Sequence, residues 1–164
     1  MPVISLTSRD LDAGQPMPLV HAHVDVGGRN LSPHLRWSGP PADTQSYAVT
    51  MFDLDEPTGV GFVHWILFDL PVGFREIPAG AERKSEGLPQ GVQLGFTDWG
   101  ECGYGGPAPG AGQGPHRYRF SVHALDIASL DVSGEKTTYA MLQYLIRGHV
   151  LATAELVATY EVRA

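Results

Sequence analysis

The sequence predicts a mainly β fold, a single domain over residues 1–164 with one or two short peripheral helices. Three observations lead there. Several segments alternate apolar and polar residues with period two, or form short apolar runs closed by turn residues, as strands do. Glycine (20) and proline (13) make up about a fifth of the 164 residues, against roughly 12% in average usage, and they follow no period. Only one segment has the composition and end signals of a good helix. The length also suits one domain, at roughly 100–200 residues each.

Residues 3–7 read as a short first strand, followed by coil broken by Gly and Pro through residue 18. His21 to Val26 reads as a second strand, and Asn30 to Pro41 as turn material around Leu35-Arg36-Trp37. Ser46 to Phe52 alternates and is rich in β-formers, a strand. Phe62 to Leu70 is a nearly continuous apolar run, the signature of a strand buried on both faces. Between them runs Asp53 to Gly61, with one proline and two glycines. Residues 71–113 are mostly irregular, with a short strand at Val92 to Leu94. His116 to Leu125 puts Tyr118, Phe120, Val122 and Ala124 on one side of a strand. Thr137 to Arg147 is the helix, with Ser133 or Gly134 near its start and Gly148 at its end. From Ala152 to Tyr160 a period of two argues for a closing strand, although the alanines also suit a helix.

The net charge is −7, with nine Arg, two Lys and no basic cluster. Phosphate neutralisation along a nucleic acid needs many cations, so that class of partner is disfavoured, as is an anionic membrane surface. No stretch approaches the 18 or so apolar residues of a membrane span. The first residues lack a basic and then apolar leader pattern, so the expectation is a cytoplasmic protein. Cys102 is the sole cysteine, which precludes an internal disulfide, and no base flanks it to activate a nucleophile.

Four features carry chemistry. Asp53 and Asp55, spaced by two, share a face if the chain is extended, although Asp beside Pro and Gly is also ordinary turn material. His64 lies inside the apolar strand and needs a polar partner there. A hairpin of the two central strands would bring Asp53 or Asp55 to its ring and favour the charged form. A core histidine with a satisfied ring is the plainer alternative. The run Gly103 to Pro115 misses the spacing of nucleotide-binding loops but lets backbone N–H groups approach an anion, and it leads into His116 and Tyr118 on one strand face. His21 and His23 have a spacing that suits Zn²⁺, but no third ligand can be placed, so no metal or other cofactor is expected.

Together these segments resemble the phosphatidylethanolamine-binding protein family, in its bacterial Raf-kinase-inhibitor-like branch. Asn30-Leu31-Ser32-Pro33-His34-Leu35-Arg36-Trp37 is similar to the family's early N-x-S-P-x-L-x-W segment. Asp53-Leu54-Asp55-Glu56-Pro57 resembles its D-P-D-A-P box, and Gly61-Phe62-Val63-His64-Trp65 the following G-F-x-H-W. Tyr104 to Pro109, continuing through His116-Arg117-Tyr118, resembles its Y-x-G-P-x-P-P…H-R-Y pattern. Leu54, Glu56 and Gly110 depart from it, as does the Gly-rich insertion 110–115.

The resemblance implies an antiparallel β-sandwich and a small pocket for anions, phosphate headgroups above all. By position that pocket would comprise Asp53, Asp55, His64, His116 and Tyr118, walled by Gly106, Pro107 and Pro109. The expected ligand is a phosphate-bearing small molecule or lipid headgroup, gripped by His64 and His116 held charged by Asp53 and Asp55. The resemblance further implies regulation of a kinase or protease and a homodimer. The alternative function is a cofactor-independent enzyme, an isomerase, cyclase or hydrolase using the same groups as acid and base.

Overall fold

Tyr47, Val49 and Met51 alternate with Ala48 and Thr50, so an extended chain there presents apolar atoms on both faces. In the computed structural model, which describes residues 3–164, this segment is β3 (Ser46–Asp53), the middle strand of an antiparallel sheet. It lies between β4 (Phe62–Pro71) and β7 (His116–Leu125). The short β6 (Gln93–Leu94) flanks β4, and β8 (Val150–Tyr160) flanks β7. A smaller antiparallel sheet holds β1 (Ser5–Thr7), β2 (Leu35–Ser38) and β5 (Glu76–Ile77) in the order β1-β2-β5.

The two sheets share a core. Leu6, Leu35, Trp37 and Ile77 of the small sheet pack in one cluster with Tyr47, Val49, Met51, Trp65, Leu67, Phe120, Val122 and Leu156 of the large one. The other face of the large sheet is covered by helix α1 (Tyr139–Ile146), where Leu142 and Ile146 meet Ala48, Ile66, Phe68 and Leu125. The fold is therefore mainly β with one α-helix among the described residues, and β4 is apolar throughout because both its faces are covered. No helix among the described residues is long and apolar enough to cross a membrane.

Three elements differ from expectation. His21 to Val26 is not a strand but two 3-10 turns, Leu19–His21 and Val24–Val26. Pro18 leads into the first turn, His23 Nδ1 accepts the Asp25 N–H, and Gly27 ends the second with φ +88°, so local bonds outcompete a ladder. The turn material 30–41 contains β2, whose partners lie at residues 5–7 and 76–77, too remote for local pattern to show. Helix α1 is capped by Thr138, whose Oγ1 accepts the Met141 N–H at 3.2 Å. Ser133 instead precedes a separate 3-10 turn, Gly134–Lys136.

Candidate functional site

Three strands bring the site together at one end of the large sheet. Asp53 closes β3 and lies opposite both Phe62, at the start of β4, and Tyr118, near the start of β7. The β3–β4 ladder is irregular there: Met51 pairs with Trp65 and Phe52 with Val63, leaving His64 with no residue opposite. This is a β-bulge, which re-aims a side chain against strict alternation. Val63 and Ile66 both join the helix-side cluster, while Trp65 joins the intersheet core. His64 turns with Trp65, and its ring lies 5.3 Å from that of Tyr118.

Asp53 is fully engaged. Its Oδ1 accepts the N–H groups of Asp55 (2.8 Å) and Glu56 (3.1 Å), the expected turn chemistry. Its Oδ2 is 2.7 Å from His116 Nδ1. His116 Nε2 lies 2.9 Å from Gln113 Oε1, an oxygen that also accepts the Gly110 N–H. Both ring nitrogens thus face side-chain oxygens, and the His116–Asp53 contact is buried, with the side chains 3% and 1% exposed.

His64 is different. Its Nδ1 lies 2.7 Å from the Gly105 carbonyl. A carbonyl only accepts, so Nδ1 carries the proton and Nε2 keeps a lone pair. Trp99 Nε1, 3.3 Å from the same Nδ1, is then a donor facing a donor and makes only ring contact. Burial holds His64 down to about 4, an effect that the Gly105 carbonyl and the Asp53 charge offset only in part. The ring is neutral at neutral pH. This corrects the expected charged His64: the carboxylate that was to pair with it is bonded to His116 on the neighbouring strand.

Tyr118 is fully buried and its hydroxyl has no hydrogen-bond partner. Burial first, and then the nearby Asp53 charge, keep the phenol protonated. Both Asp53 oxygens are committed elsewhere, and neither meets the phenol at hydrogen-bonding geometry. An orphaned buried donor costs about 1–3 kcal/mol. The Tyr118 side chain borders a cavity of about 130 Å³, lined also by Asp53, Glu56, Phe62, His64, Trp99, Ala108 and Pro109.

Ala108 and Pro109 of the Gly/Pro loop line this cavity, and the stretch that leads to them, Gly103 to Pro107, is buried. Asn30 clamps it: Oδ1 accepts the Gly106 N–H at 2.6 Å, and Nδ2 donates to the Tyr104 carbonyl at 3.2 Å. The glycines permit close approach. A Cβ on Gly105 would sit 2.1 Å from Trp99 Cδ1, and one on Gly106 would sit 2.3 Å from the His21 carbonyl oxygen.

The anticipated residues are thus not all brought together. Asp53, His64, Tyr118 and Pro109 line the cavity. His116 sits behind Asp53 and borders a wider outer groove of about 640 Å³ with Asp55, Gln113 and Arg117. Asp55 points into that groove, where it accepts from Arg117 Nε (3.0 Å), Nη2 (2.9 Å) and backbone N–H (2.7 Å). The Arg117 side chain holds the Asp55 carboxyl below its usual range. Gly106 and Pro107 are not among the residues that line the cavity and bond instead to Asn30 and to the His23 N–H.

The family model described as phosphatidylethanolamine-binding protein matches residues 7–161. The chain belongs to the phosphatidylethanolamine-binding protein family. It is 42% identical over 159 residues to the UPF0098 protein YbhB of Escherichia coli, covering 96% of this chain and 99% of that one. The crystal structure of E. coli YbcL, described as a new member of the mammalian PEBP family, superposes with a TM-score of 0.91 at 36% identity, covering 98% of this chain and 99% of that one. A Chlamydia trachomatis homologue superposes with a TM-score of 0.83 at 30% identity, covering 98% of this chain and 99% of that one.

Within this family member the site includes residues that motif reading missed. Glu56, Phe62, Trp99 and Ala108 line the cavity, and Gln113 engages His116. Glu56, Phe62 and Ala108 all lie within the matched motifs. Trp99 gave no signal, since only its stacking on His23 (4.2 Å, 10° between planes) and its packing on Gly105 place it there. Asp53, Glu56 and His116 each offer a ligand atom within 4.8 Å of the others. The His116–Asp53 bond already joins two of these atoms, so the trio is a closed hydrogen-bonded pair with a neighbouring carboxylate. His21 and His23 do not converge on a metal: the His21 Nδ1 bonds the Leu31 carbonyl, and the His23 ring lies on Trp99.

Proposed function

We propose that this protein binds a small phosphate-bearing ligand, such as a phospholipid headgroup, in the Tyr118 cavity. The observation that carries this is the Tyr118 hydroxyl, a fully buried donor with no partner. A phosphate oxygen supplies the missing acceptor, and the neutral His64 Nε2 accepts a proton from a singly protonated phosphate. The Glu56 carboxylate and the rings of Phe62 and Trp99 suit a cationic group on the same ligand. At about 130 Å³ the cavity takes a headgroup rather than a drug-sized molecule of roughly 300–1,000 Å³. Regulation of a kinase or protease, implied by the sequence resemblance, would use a surface outside this cavity.

Calorimetric titration with O-phosphoethanolamine tests the proposal. Binding is expected to one site, to be lost in Tyr118→Phe, and to be tighter at about pH 5.5 than at about pH 8, because the second phosphate pKa lies near 6. Equal affinity of the wild type and Tyr118→Phe would overturn it.

A further inference from the structure

The outer face of the small sheet carries a second hollow. Strand register aligns Thr7 with Arg36 and Arg36 with Glu76, so one row across β1, β2 and β5 holds a hydroxyl, a guanidinium and a carboxylate. His34 precedes β2 and turns inward, only 3% exposed. The segment 8–10 fixes its position. Arg9 N–H donates to its Nδ1 at 3.0 Å, its own N–H donates to Asp10 Oδ2 at 2.8 Å, and the Ser8 hydroxyl donates to its carbonyl.

Because Nδ1 accepts, the proton of a neutral ring is on Nε2. That N–H is buried and has no hydrogen-bond partner. Its nearest carboxylate oxygen, Glu76 Oε2, is 3.6 Å away, beyond hydrogen-bonding distance. The other Glu76 oxygen is 3.9 Å from Arg9 Nη2. Arg36 has no carboxylate ion-pair partner among the described residues. The hollow measures about 150 Å³ and is lined by Thr7, Ser8, Arg9, His34, Arg36 and Glu76.

We propose that this hollow is a second binding site, for a small oxyanion such as phosphate, and that the Glu76 carboxylate is its loosely held internal occupant. Tethered to β5, Glu76 reaches neither Nε2 nor Arg9 at bonding distance. A free tetrahedral anion can approach the His34 N–H and both guanidiniums together, and a guanidinium fork suits two oxygens of one phosphate. Glu76 is about half exposed, so its head can swing into solvent as the anion enters. The hollow shares no lining residue with the Tyr118 cavity and does not depend on the function proposed for it.

The test is a titration of the full chain with inorganic phosphate, followed by ¹H–¹⁵N NMR of the imidazole and guanidinium groups. His34 Nε2–H and the Arg9 and Arg36 side chains are expected to shift together. Glu76→Gln should tighten this binding by about tenfold and Arg36→Gln should weaken it by a similar factor. Tyr118 and His64 signals report the other cavity separately, so failure at one site is distinguishable from failure at the other. Vesicles of phosphatidylcholine with added phosphatidic acid separate a lipid-borne phosphate, which sediments the protein in an Arg36-dependent way, from a free one, which does not. If millimolar phosphate leaves His34 Nε2–H unmoved in Glu76→Gln, or shifts it equally after Arg36→Gln, the proposal is overturned.

Discussion

Asp53 and Tyr118 face one another across the β3–β7 ladder, yet the carboxylate is bonded to His116 and the phenol hydroxyl is left with no partner. The neighbouring strands therefore supply a closed Asp–His pair and an unpaired donor within one small volume.

Removing the open donor should leave the fold intact. Tyr118→Phe keeps the ring that packs in the core and deletes an unsatisfied group, so stability in urea is expected to stay level or rise by up to about 1 kcal/mol. O-Phosphoethanolamine binding is expected to fall at the same time. A fall in stability of several kcal/mol would mean that the hydroxyl has a partner after all.

The two aspartates of the D-x-D box should behave unequally. Asp53→Asn retains an oxygen for the N–H groups of Asp55 and Glu56 but removes the carboxylate that His116 bonds in the interior. Losing a buried hydrogen bond to a charged group costs about 1.5–3 kcal/mol. Asp55→Asn breaks a solvent-exposed pair with Arg117, so its loss should be small and should shrink further in salt. Urea denaturation of both variants at two ionic strengths measures the contrast.

Acid should destabilise the protein through His64. Its folded value of about 4 lies below the unfolded imidazole value of 6.5, so the native state binds fewer protons than the unfolded chain. Stability is then complete above about pH 6.5 and is lost as pH falls toward 4, by about 3 kcal/mol from this residue. His123, also held near 4 by burial and by Arg119, acts in the same direction. His64→Gln should flatten the pH dependence of unfolding over this window, and an unchanged slope would assign the acid sensitivity elsewhere.

The cavity wall should loosen without Asn30. This residue bonds the loop at Gly106 and Tyr104 and holds φ at +52°, a conformation that alanine adopts at a cost. Asn30→Ala is expected to raise amide exchange at Gly106 and Gly105 by at least tenfold, while core strand amides follow only the global loss of stability.

Much of this architecture is legible in the sequence, and what is not has identifiable causes. Period two in β7 and the two-faced apolar run in β4 came from burial, which acts residue by residue. Strand β2 is hidden because its pairing is remote, and His21 to Val26 departs from the expected strand because side-chain and backbone bonds within a few residues settle its shape. At the site, motif order located Asp53, His64 and Tyr118. It could not assign partners: which carboxylate meets which imidazole depends on the irregular register at His64 and on where the Gly105 carbonyl lands. Trp99 reaches the cavity through loop packing alone, which leaves no periodic trace.

The irregular register at His64 also bears on how such a protein can diversify. One extra residue in β4 separates the direction of a single ring from the packing rules of the rest of the strand. Exchange of that one side chain can therefore change the lining of the cavity while the hydrophobic interior on either side stays as it is. The shape of the hollow and foldability thereby become separately adjustable, so lineages sharing this scaffold can drift in one without having to re-evolve the other.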